Sequence, residues 1–423
     1  SCWWNPSLVR LGELTNVKTK GTNRPWAPNP WPPDTEGISP AVIADRRYLH
    51  TIPELGMQEF KTSAYVLERL RSLPVESIRT GIAVTGITAL IHGTKPSDKP
   101  GKVALLRADM DALPILEEND VEYKSQTPGV MHACGHDAHT AMLLGIARLL
   151  CDRRDQFSGS VKLLFQPAEE GPGGGEPMIK EGVLENPHVD AVFGMHVGQD
   201  TPVGQIKTRS GPAMASVDSA TIIVQGKGGH GASPHLAIDP VVVSAQIIVA
   251  LQTIVSRNID PIDSAVVTVG MIGAGIASNV IPDTAEMRLT IRSFKPDVRE
   301  LLAKRIPEIV TGVGTALGAT VKIDYERGYP ATVNDPEMTE MVLEVARGVI
   351  GEENVHVAAP KMGAEDFSYF LEQRPGCFFF VGTRNEERGL TWGHHHPRFD
   401  IDEEGLSTGI ETMVRVVTRY LND

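Results

Sequence analysis

Residues 103–111 read Val-Ala-Leu-Leu-Arg-Ala-Asp-Met-Asp, an apolar run of strand length that passes directly into charged residues. Three more apolar runs of strand length follow along the chain, at 161–165, 191–193 and 377–381. Helical patterns lie between them, notably at 138–150. Continuous apolar strands separated by helices are typical of a mainly parallel sheet with helices on both faces. The sequence therefore predicts an α/β fold.

Polar side chains suited to chemistry follow each of the four apolar runs. They are, in chain order, Asp109 and Asp111, the pair Glu169 and Glu170, His196, and three adjacent histidines at 394–396. Open α/β sheets bind ligands beyond the carboxyl ends of their strands. We therefore expect these groups to contribute to one site.

The pattern changes between residues 213 and 330. Strands are predicted at 219–225, 265–271, 284–294 and 320–325, and helices at 240–255 and 298–317. The order β-α-β-β-α-β is the ferredoxin-like pattern. We expect 213–330 to form an inserted α+β domain, and 39–212 with 331–423 to form a catalytic domain. The segment 1–38 is rich in Trp and Pro and is expected to be an irregular arm, because proline prevents a long helix.

The composition is that of a soluble globular protein, with 41% hydrophobic and 22% charged residues among 423. With 40 basic and 53 acidic residues the net charge is −13, which argues against partners such as nucleic acid or an anionic membrane. No apolar run is expected to reach the roughly 18 residues that span a bilayer. The four cysteines are too scattered to suggest a disulfide framework. Without a visible signal peptide we predict a cytoplasmic location, although the start at Ser1 leaves a removed leader open.

Residues 131–140 read Met-His-Ala-Cys-Gly-His-Asp-Ala-His-Thr and combine a thiol, three imidazoles and a carboxylate. Cys134 and His136 are two residues apart, so a helix would point them in different directions, whereas a turn could direct both to one ion. Thiolate and imidazole are ligands for zinc and other transition ions. The alternative is a histidine-rich loop that precedes a helix.

Glu169 and Glu170 form the second feature of interest. Adjacent side chains of an extended chain point in opposite directions, so one carboxylate could bind a metal while the other takes a proton from water. The alternative is a pair of solvated surface glutamates, but the glycine-rich segment 171–175 that follows favours a functional loop. Taken alone, His196 could equally be a core histidine, and 394–396 a surface cluster.

From about residue 40 to its end, the chain carries eight motifs: RADMDALP, HACGHDAHTA, LFQPAEEG, GMHV, KGGHGASPH, SNVIPD, MGAEDFSYF and HHHPRFDIDEEGL. In sequence and order they resemble those of the M20 metallopeptidases. The similarity is greatest to the amidohydrolase branch, which includes aminoacylases, hippurate hydrolases, N-acetyl-diaminopimelate deacetylases and plant auxin-conjugate hydrolases. The resemblance implies a catalytic α/β domain and a ferredoxin-like lid domain, in agreement with the pattern of strands and helices.

The resemblance also implies roles for particular residues. The implied metal ligands are Cys134, His136, Glu170, His196 and His395. His395 is chosen among the three histidines because the ligand in the family stands two residues before the proline. Glu169 is similar to the general base of the family, and Asp111 is expected to support the catalytic groups. Because a thiolate is among the implied ligands, the number and the identity of the divalent ions stay open. The cofactor is expected to be one or two ions, zinc or manganese.

Three further residues are implied in the lid. His230 resembles a residue that stabilises the oxyanion, often in the site of a neighbouring subunit, so a homodimer or higher homo-oligomer is expected. Asn279 and Arg292 are expected to hold the carboxylate of the substrate, because a guanidinium can bind a carboxylate through two hydrogen bonds. The alternative for Arg292 is an arginine on the surface of a strand.

The resulting hypothesis is a metal-dependent amidohydrolase that cleaves N-acyl amino acids with a free carboxylate. A carboxypeptidase or dipeptidase acting on small peptides could use the same groups. A metal-stabilised binding protein is the alternative outside the enzymes, and it would leave Glu169 without a role.

Overall fold

The computed structural model describes residues 39–423, and the predicted arm at 1–38 lies outside them. The α-helices of the described part are α1 (Ser39–Thr51), α2 (Phe60–Arg71), α3 (His136–Asp152), α4 (Gly175–Lys180), α5 (Pro240–Arg257), α6 (Pro296–Ala316), α7 (Pro336–Ile350), α8 (Ser368–Gln373) and α9 (Glu404–Asn422). Its strands are β1 (Glu76–Ile82), β2 (Gly86–His92), β3 (Val103–Asp109), β4 (Ser160–Gln166), β5 (Ala191–Pro202), β6 (Ile206–Thr208), β7 (Gly211–Met214), β8 (Ser216–Gln225), β9 (Gly229–His230), β10 (Ala265–Ala274), β11 (Val280–Ile281), β12 (Thr284–Ser293), β13 (Thr320–Arg327), β14 (Thr332–Asn334), β15 (Val355–Val357) and β16 (Gly376–Arg384).

The large sheet has eight strands in the order β1-β2-β4-β3-β5-β16-β6-β15. Its centre, β4-β3-β5-β16, is parallel, as predicted from the four apolar runs. Towards the edges β2 pairs antiparallel with β4, and β6 pairs antiparallel with β16. These antiparallel strands were not predicted. In the hairpin of β1 and β2, β1 is mostly exposed and has no continuous apolar run, and β6 has only three residues.

Helices cover both faces of the large sheet, and β3 illustrates why its strands are apolar throughout. Ala104 and Leu106 pack in the cluster that includes residues of α1, α3 and α9. Val103 and Leu105 point to the other face and pack with residues of α4 and α8. Because both faces are covered, β3 and β4 are buried along their whole length. The prediction of an α/β fold with a mainly parallel sheet is confirmed.

The second sheet has four strands in the order β10-β12-β8-β13, all antiparallel. Along the chain its elements run β8, α5, β10, β12, α6 and β13, which is the predicted ferredoxin-like order. Its hydrophobic core is separate and includes Ile222, Ile247 and Leu302. Because 39–423 lies within one compact unit, the boundaries assigned to 213–330 stay a prediction. We refer to residues 216–327 as the lid.

One helix differs from the expectation that no apolar segment is long enough to cross a membrane. The 18-residue α5 reaches the length and apolar composition required. Val243, Ile247 and Leu251 on one face of α5 are buried in the lid core. A core helix of a soluble protein passes the same test, so the finding is weak support for a membrane span.

Candidate metal centre and active site

Gly135, at the start of α3, lets Cys134 and His136 lie close to His196. Gly135 precedes the helix with a φ of 87°. A β-carbon at this position would lie 2.3 Å from Cγ2 of Val197, so only glycine lets this turn approach β5 so closely. His196 lies beside Val197 on β5, and its Nε2 is 3.4 Å from Sγ of Cys134. The turn predicted from the two-residue spacing thus precedes the helix.

The five predicted ligands form two groups that share one thiol. Ligand atoms of Cys134, His136 and His196 all lie within 4.8 Å of one another, and the same holds for Cys134, Glu170 and His395. Nε2 of His395 is 2.9 Å from Oε1 of Glu170. The backbone N–H of His395 donates to the carbonyl oxygen of Ala133 at 2.8 Å, which joins the two ligand-bearing loops.

The other two histidines of the 394–396 cluster have different surroundings. Nδ1 of His394 is 4.0 Å from Sγ of Cys134. His396 is stacked on Trp392, with 4.2 Å between ring centroids. His395 is therefore the member of the three that meets Glu170.

Asp111 orients three of the predicted groups at once. Its Oδ1 and Oδ2 accept the backbone N–H groups of Glu169 and Glu170, each at 2.9 Å. Oδ1 also lies 3.2 Å from Nδ1 of His136. Nε2 of His136 is then left buried without a hydrogen-bond partner among residues 39–423. An unpartnered imidazole nitrogen amid thiol and carboxylate donors fits a metal ion.

The electrostatics of the cluster also favour a cation. Burial lowers the pKa of His136, but the charges of Asp109 and Asp111 outweigh it and raise that pKa to about 10. Burial and the nearby Glu170 raise the pKa of the Cys134 thiol well above its ordinary value. A bound divalent ion would reverse this effect, because a coordinating thiol is deprotonated.

The two glutamates lie in a turn, which corrects the expectation of an extended chain. Ala168 has a φ of 57°, and the turn begins at Glu169. The carboxylates still separate: that of Glu170 meets His395, whereas that of Glu169 lies within 4.8 Å of the carboxylates of Glu365 and Asp366. Glu169 is only 7% exposed, and burial together with these acidic neighbours raises its pKa well above its ordinary value. A buried carboxyl group beside the predicted metal ligands has the position expected of a group that exchanges a proton.

A buried arginine balances the acidic groups and was missed by the sequence analysis. Arg107 donates to Asp109 at 2.7 Å, and to Glu365 and Asp366 at 2.8 Å each. Despite the opposing effect of burial, Glu365, Asp109 and Asp366 raise the pKa of Arg107. Arg107 lies in the stretch 103–111 and Glu365 in the motif MGAEDFSYF. Nothing in the sequence shows that these two side chains are in contact.

His139 was also missed, although it lies in the stretch 131–140. Its Nδ1 is 2.6 Å from Oδ1 of Asp109, and its Nε2 accepts the backbone N–H of Val197 at 2.9 Å. Asp109 thus supports the ring of His139. Through Val197, His139 orients the strand segment that carries His196.

A cavity of 470 Å³ opens onto these groups. Its lining includes Cys134, Glu169, Glu170, His196 and His395, together with Met214, Val217, Phe380, Arg292 and Lys361. Arg292 projects from β12 of the lid, and its hydrogen bonds go to Thr290 and to the carbonyl oxygen of Met362. No carboxylate of residues 39–423 forms an ion pair with Arg292.

His230 and Asn279 do not line this cavity. His230, on β9, faces Val280 of β11, and the N–H of Gly231 donates to the carbonyl oxygen of Asn279 at 2.8 Å. The two predicted residues are thus neighbours in the lid, and His230 is exposed. A single chain does not bring them to the metal-ligand groups.

Comparison with known proteins gives consistent results over nearly the whole chain. The model of "Peptidase family M20/M25/M40" matches residues 105–419. Thermostable carboxypeptidase 2 of Saccharolobus solfataricus is 44% identical, covering 92% of this chain and 98% of that protein. N-acetyl-L-cysteine deacetylase of Bacillus subtilis is 40% identical, covering 89% and 87%. The solved structure of the Bacillus subtilis YXEP protein, described as a dinuclear metal binding peptidase from the M20 family, matches with a TM-score of 0.78 and 35% identity over 91% of this chain and 99% of its own.

Proposed function

Because the chain belongs to peptidase family M20/M25/M40, we propose that it hydrolyses the amide bond of N-acyl amino acids in a metal-dependent reaction. The position of Glu169 carries this proposal: a buried carboxyl group of raised pKa borders the cavity beside two overlapping groups of metal-ligand atoms. The similarity to a deacetylase of an N-acetyl amino acid supports the choice of substrate class.

The proposed cofactor is one or two divalent ions, zinc or manganese, held by Cys134, His136, Glu170, His196 and His395. Thiolate and imidazole donors suit zinc, and carboxylates suit manganese. When bound, such an ion lowers the pKa of water and polarises the carbonyl group of the substrate. The two ligand groups that share Cys134, and the similarity to a dinuclear metal binding peptidase, support a pair of ions.

Proton transfer, positioning of the ligands and binding of the substrate would depend on Glu169, Asp111 and Arg292. Glu169 accepts a proton from the attacking water and delivers it to the nitrogen of the leaving amino acid. Asp111 holds the backbone of Glu169 and Glu170 and fixes the ring of His136. Arg292, without a carboxylate partner in the described part of the chain, would bind the carboxylate of the substrate.

A homodimer would bring in the two lid residues that do not line the cavity of their own chain. β10 is an edge strand of the lid sheet, and Met271 and Ile272 on it are 40% and 50% exposed. On α5, which packs beside β10, Val249 is 66% exposed. An unpaired strand edge beside exposed apolar side chains is a surface suited to association. We propose that it pairs with a second copy, and that His230 and Asn279 act in the cavity of the partner.

The second candidate function is that of a carboxypeptidase or dipeptidase. The 44% identity to a carboxypeptidase favours it. Both substrate classes present an amide next to a free carboxylate, so Arg292 and Glu169 would serve either reaction.

The test is a substrate panel assayed before and after removal of the metal. N-acetyl and N-benzoyl amino acids and dipeptides are compared, each with its carboxylate free or amidated. We expect turnover of free-carboxylate N-acyl amino acids, loss of turnover with a chelator, and recovery with Mn²⁺ or Zn²⁺. Full turnover by the metal-free protein would contradict the proposal, as would inactivity of the reloaded protein on the whole panel. Faster turnover of dipeptides would favour the second candidate.

The role of Arg292 is tested on the same panel. Arg292→Ala should raise KM for substrates with a free carboxylate and reduce the preference over amidated ones. Arg288→Ala is the matched control, because Arg288 lies on the same strand and pairs with Glu286 at the surface. If the Arg292 variant and the parent prefer free carboxylates equally, Arg292 does not bind the substrate carboxylate.

A further inference from the structure

Tyr329 lies where the chain leaves the lid. The last lid strand, β13, ends at Arg327, and the chain then passes through Gly328 and Tyr329 towards β14. The N–H of Gly328 donates to Asp218 at 3.1 Å, and the carbonyl oxygen of Tyr329 accepts the N–H of Val217 at 3.0 Å. The backbone of Tyr329 is therefore bonded to β8, the first strand of the lid.

The side chain of Tyr329 contacts the loop that carries Glu169 and Glu170. Its hydroxyl donates to the carbonyl oxygen of Glu169 at 2.8 Å. A β-carbon on Gly173 would lie 2.9 Å from Cε1 of the ring, so the ring packs closely against the glycine-rich segment. The backbone of Glu169 is thus held on both sides of its α-carbon: its N–H donates to Asp111, and its carbonyl oxygen accepts from Tyr329.

A continuous series of contacts leads from the substrate side of the lid to Glu169. Arg292 on β12 is paired in register with Val217 on β8, and both line the cavity. Val217 donates to Tyr329, and Tyr329 donates to Glu169. A shift of the lid strands on contact with a substrate would therefore move the hydroxyl that holds the backbone of Glu169.

We propose that Tyr329 is a positioning residue that couples binding of the substrate carboxylate at Arg292 to the orientation of Glu169. This inference rests on the proposed function. Coupling through contacts of this kind has to be demonstrated by double-mutant analysis rather than by proximity.

The first measurement compares Tyr329→Phe with Tyr369→Phe. Tyr369 is the matched control, because its ring contacts that of Tyr329 and its hydroxyl donates to the carbonyl oxygen of Gly328 at 3.3 Å. Loss of one positioning hydrogen bond should lower the kcat of Tyr329→Phe about 3- to 10-fold. Its KM and metal content should stay within about twofold of the parent values, since ring packing is retained. The Tyr369 variant should keep the parental kcat.

The second measurement is a double-mutant cycle on the metal-loaded enzyme with Arg292→Ala and Tyr329→Phe. If Tyr329 transmits the effect of Arg292, Arg292→Ala should itself lower kcat, and the kcat of the double variant should be close to that of Arg292→Ala alone. Two fold-losses that simply multiply would overturn the inference and leave the proposed function intact. A loss of metal or an increased KM in Tyr329→Phe with unchanged kcat would overturn it as well. An inactive parent would overturn the proposed function and the inference together.

Discussion

Neighbouring residues give Glu169 and Glu170 different chemistry although the two carboxylates are adjacent in sequence. Burial raises the pKa of Glu170, but the close imidazole of His395 and the charge of His136 outweigh burial and lower that pKa. Burial and the acidic side chains of Glu365 and Asp366 raise the pKa of Glu169. Glu170 is therefore suited to hold a cation, and Glu169 to exchange a proton.

Paired glutamine substitutions should separate these roles. Glu169→Gln keeps the size of the side chain but cannot accept a proton, so kcat should fall by about 10² to 10⁴ while metal content and melting temperature stay parental. Glu170→Gln should lose metal as well as activity. Each variant is assayed for bound metal, melting temperature and kcat. Near-parental kcat in Glu169→Gln, or loss of metal from that variant alone, would show that the assignment is wrong.

Buried His50 should make stability depend on pH. Its Nδ1 lies 2.7 Å from Oδ2 of Asp137, the residue after His136, and its Nε2 lies 3.3 Å from Glu117. Burial opposes protonation, but Asp137 and Glu117 raise the pKa of His50 from 6.5 to about 9. A pKa that is higher in the folded protein stabilises it fully below pH 6.5, and this contribution is lost as the pH rises through about 9.

The difference between the two pKa values of His50 corresponds to a contribution of roughly 3 kcal/mol at most to the free energy of unfolding. Denaturant unfolding of the metal-loaded protein at pH 6 and pH 9.5 measures it. His50→Gln should be less stable than the parent at pH 6, and the deficit should shrink at pH 9.5. His188→Gln is the control, because His188 pairs with Glu185 at the surface. A deficit that is the same at both pH values would contradict this role of His50.

Among the elements, the start of α3 should be sensitive to a single added methyl group. Gly135→Ala places a β-carbon against Val197, beside His196, in addition to an unfavourable φ of 87°. We expect weaker metal binding, because Cys134, His136 and His196 are all displaced. Gly129→Ala is the control: its φ is 79°, but no atom lies within 4 Å of the added carbon. If both variants retain metal equally, the close approach at Gly135 does not position the ligands.

The elements that sequence could predict are those with a continuous apolar run or a regular order of strands and helices. The apolar runs that became β3 and β4 are buried on both faces, and the lid follows its predicted order from β8 to β13. The hairpin β1–β2 was missed because β1 is mostly exposed and carries no continuous apolar run. The turn at Glu169 was missed because it depends on the positive φ of Ala168. That conformation is held by a tertiary contact, since the N–H of Ala168 donates to Glu59 at 2.8 Å.

The candidate site was predictable where its residues lie in short motifs, as with Cys134 and His136. Contacts between distant segments were not predictable from the residues alone. The bonds of Arg107 to Glu365 and of Tyr329 to Glu169 join positions far apart in the chain. Only the assembled molecule shows them.

At the scale of the whole molecule, the exposed surface of α5 and β10 should mediate a dimer. Val249→Glu should shift sedimentation from dimer to monomer. If His230 of the partner subunit supports the oxyanion, kcat should also fall by about 10² to 10³. Val357→Glu is the matched control, since Val357 is an exposed valine of β15, in the large sheet. A parent protein that is monomeric and fully active would contradict both the dimer and the contribution of His230.

The thiol of Cys134, which both ligand groups share, should react slowly with oxidants and alkylating reagents in the metal-free protein. Thiolates are alkylated and oxidised, whereas protonated thiols react slowly. Because burial and Glu170 raise the pKa of Cys134, the empty protein keeps this group protonated. We expect iodoacetamide at pH 8 to label Cys134 far more slowly in the folded metal-free protein than after unfolding, as measured by mass spectrometry. Rapid labelling of the folded protein would contradict this expectation. Protein stored without metal should therefore resist air oxidation at this position and recover its activity when ions are returned.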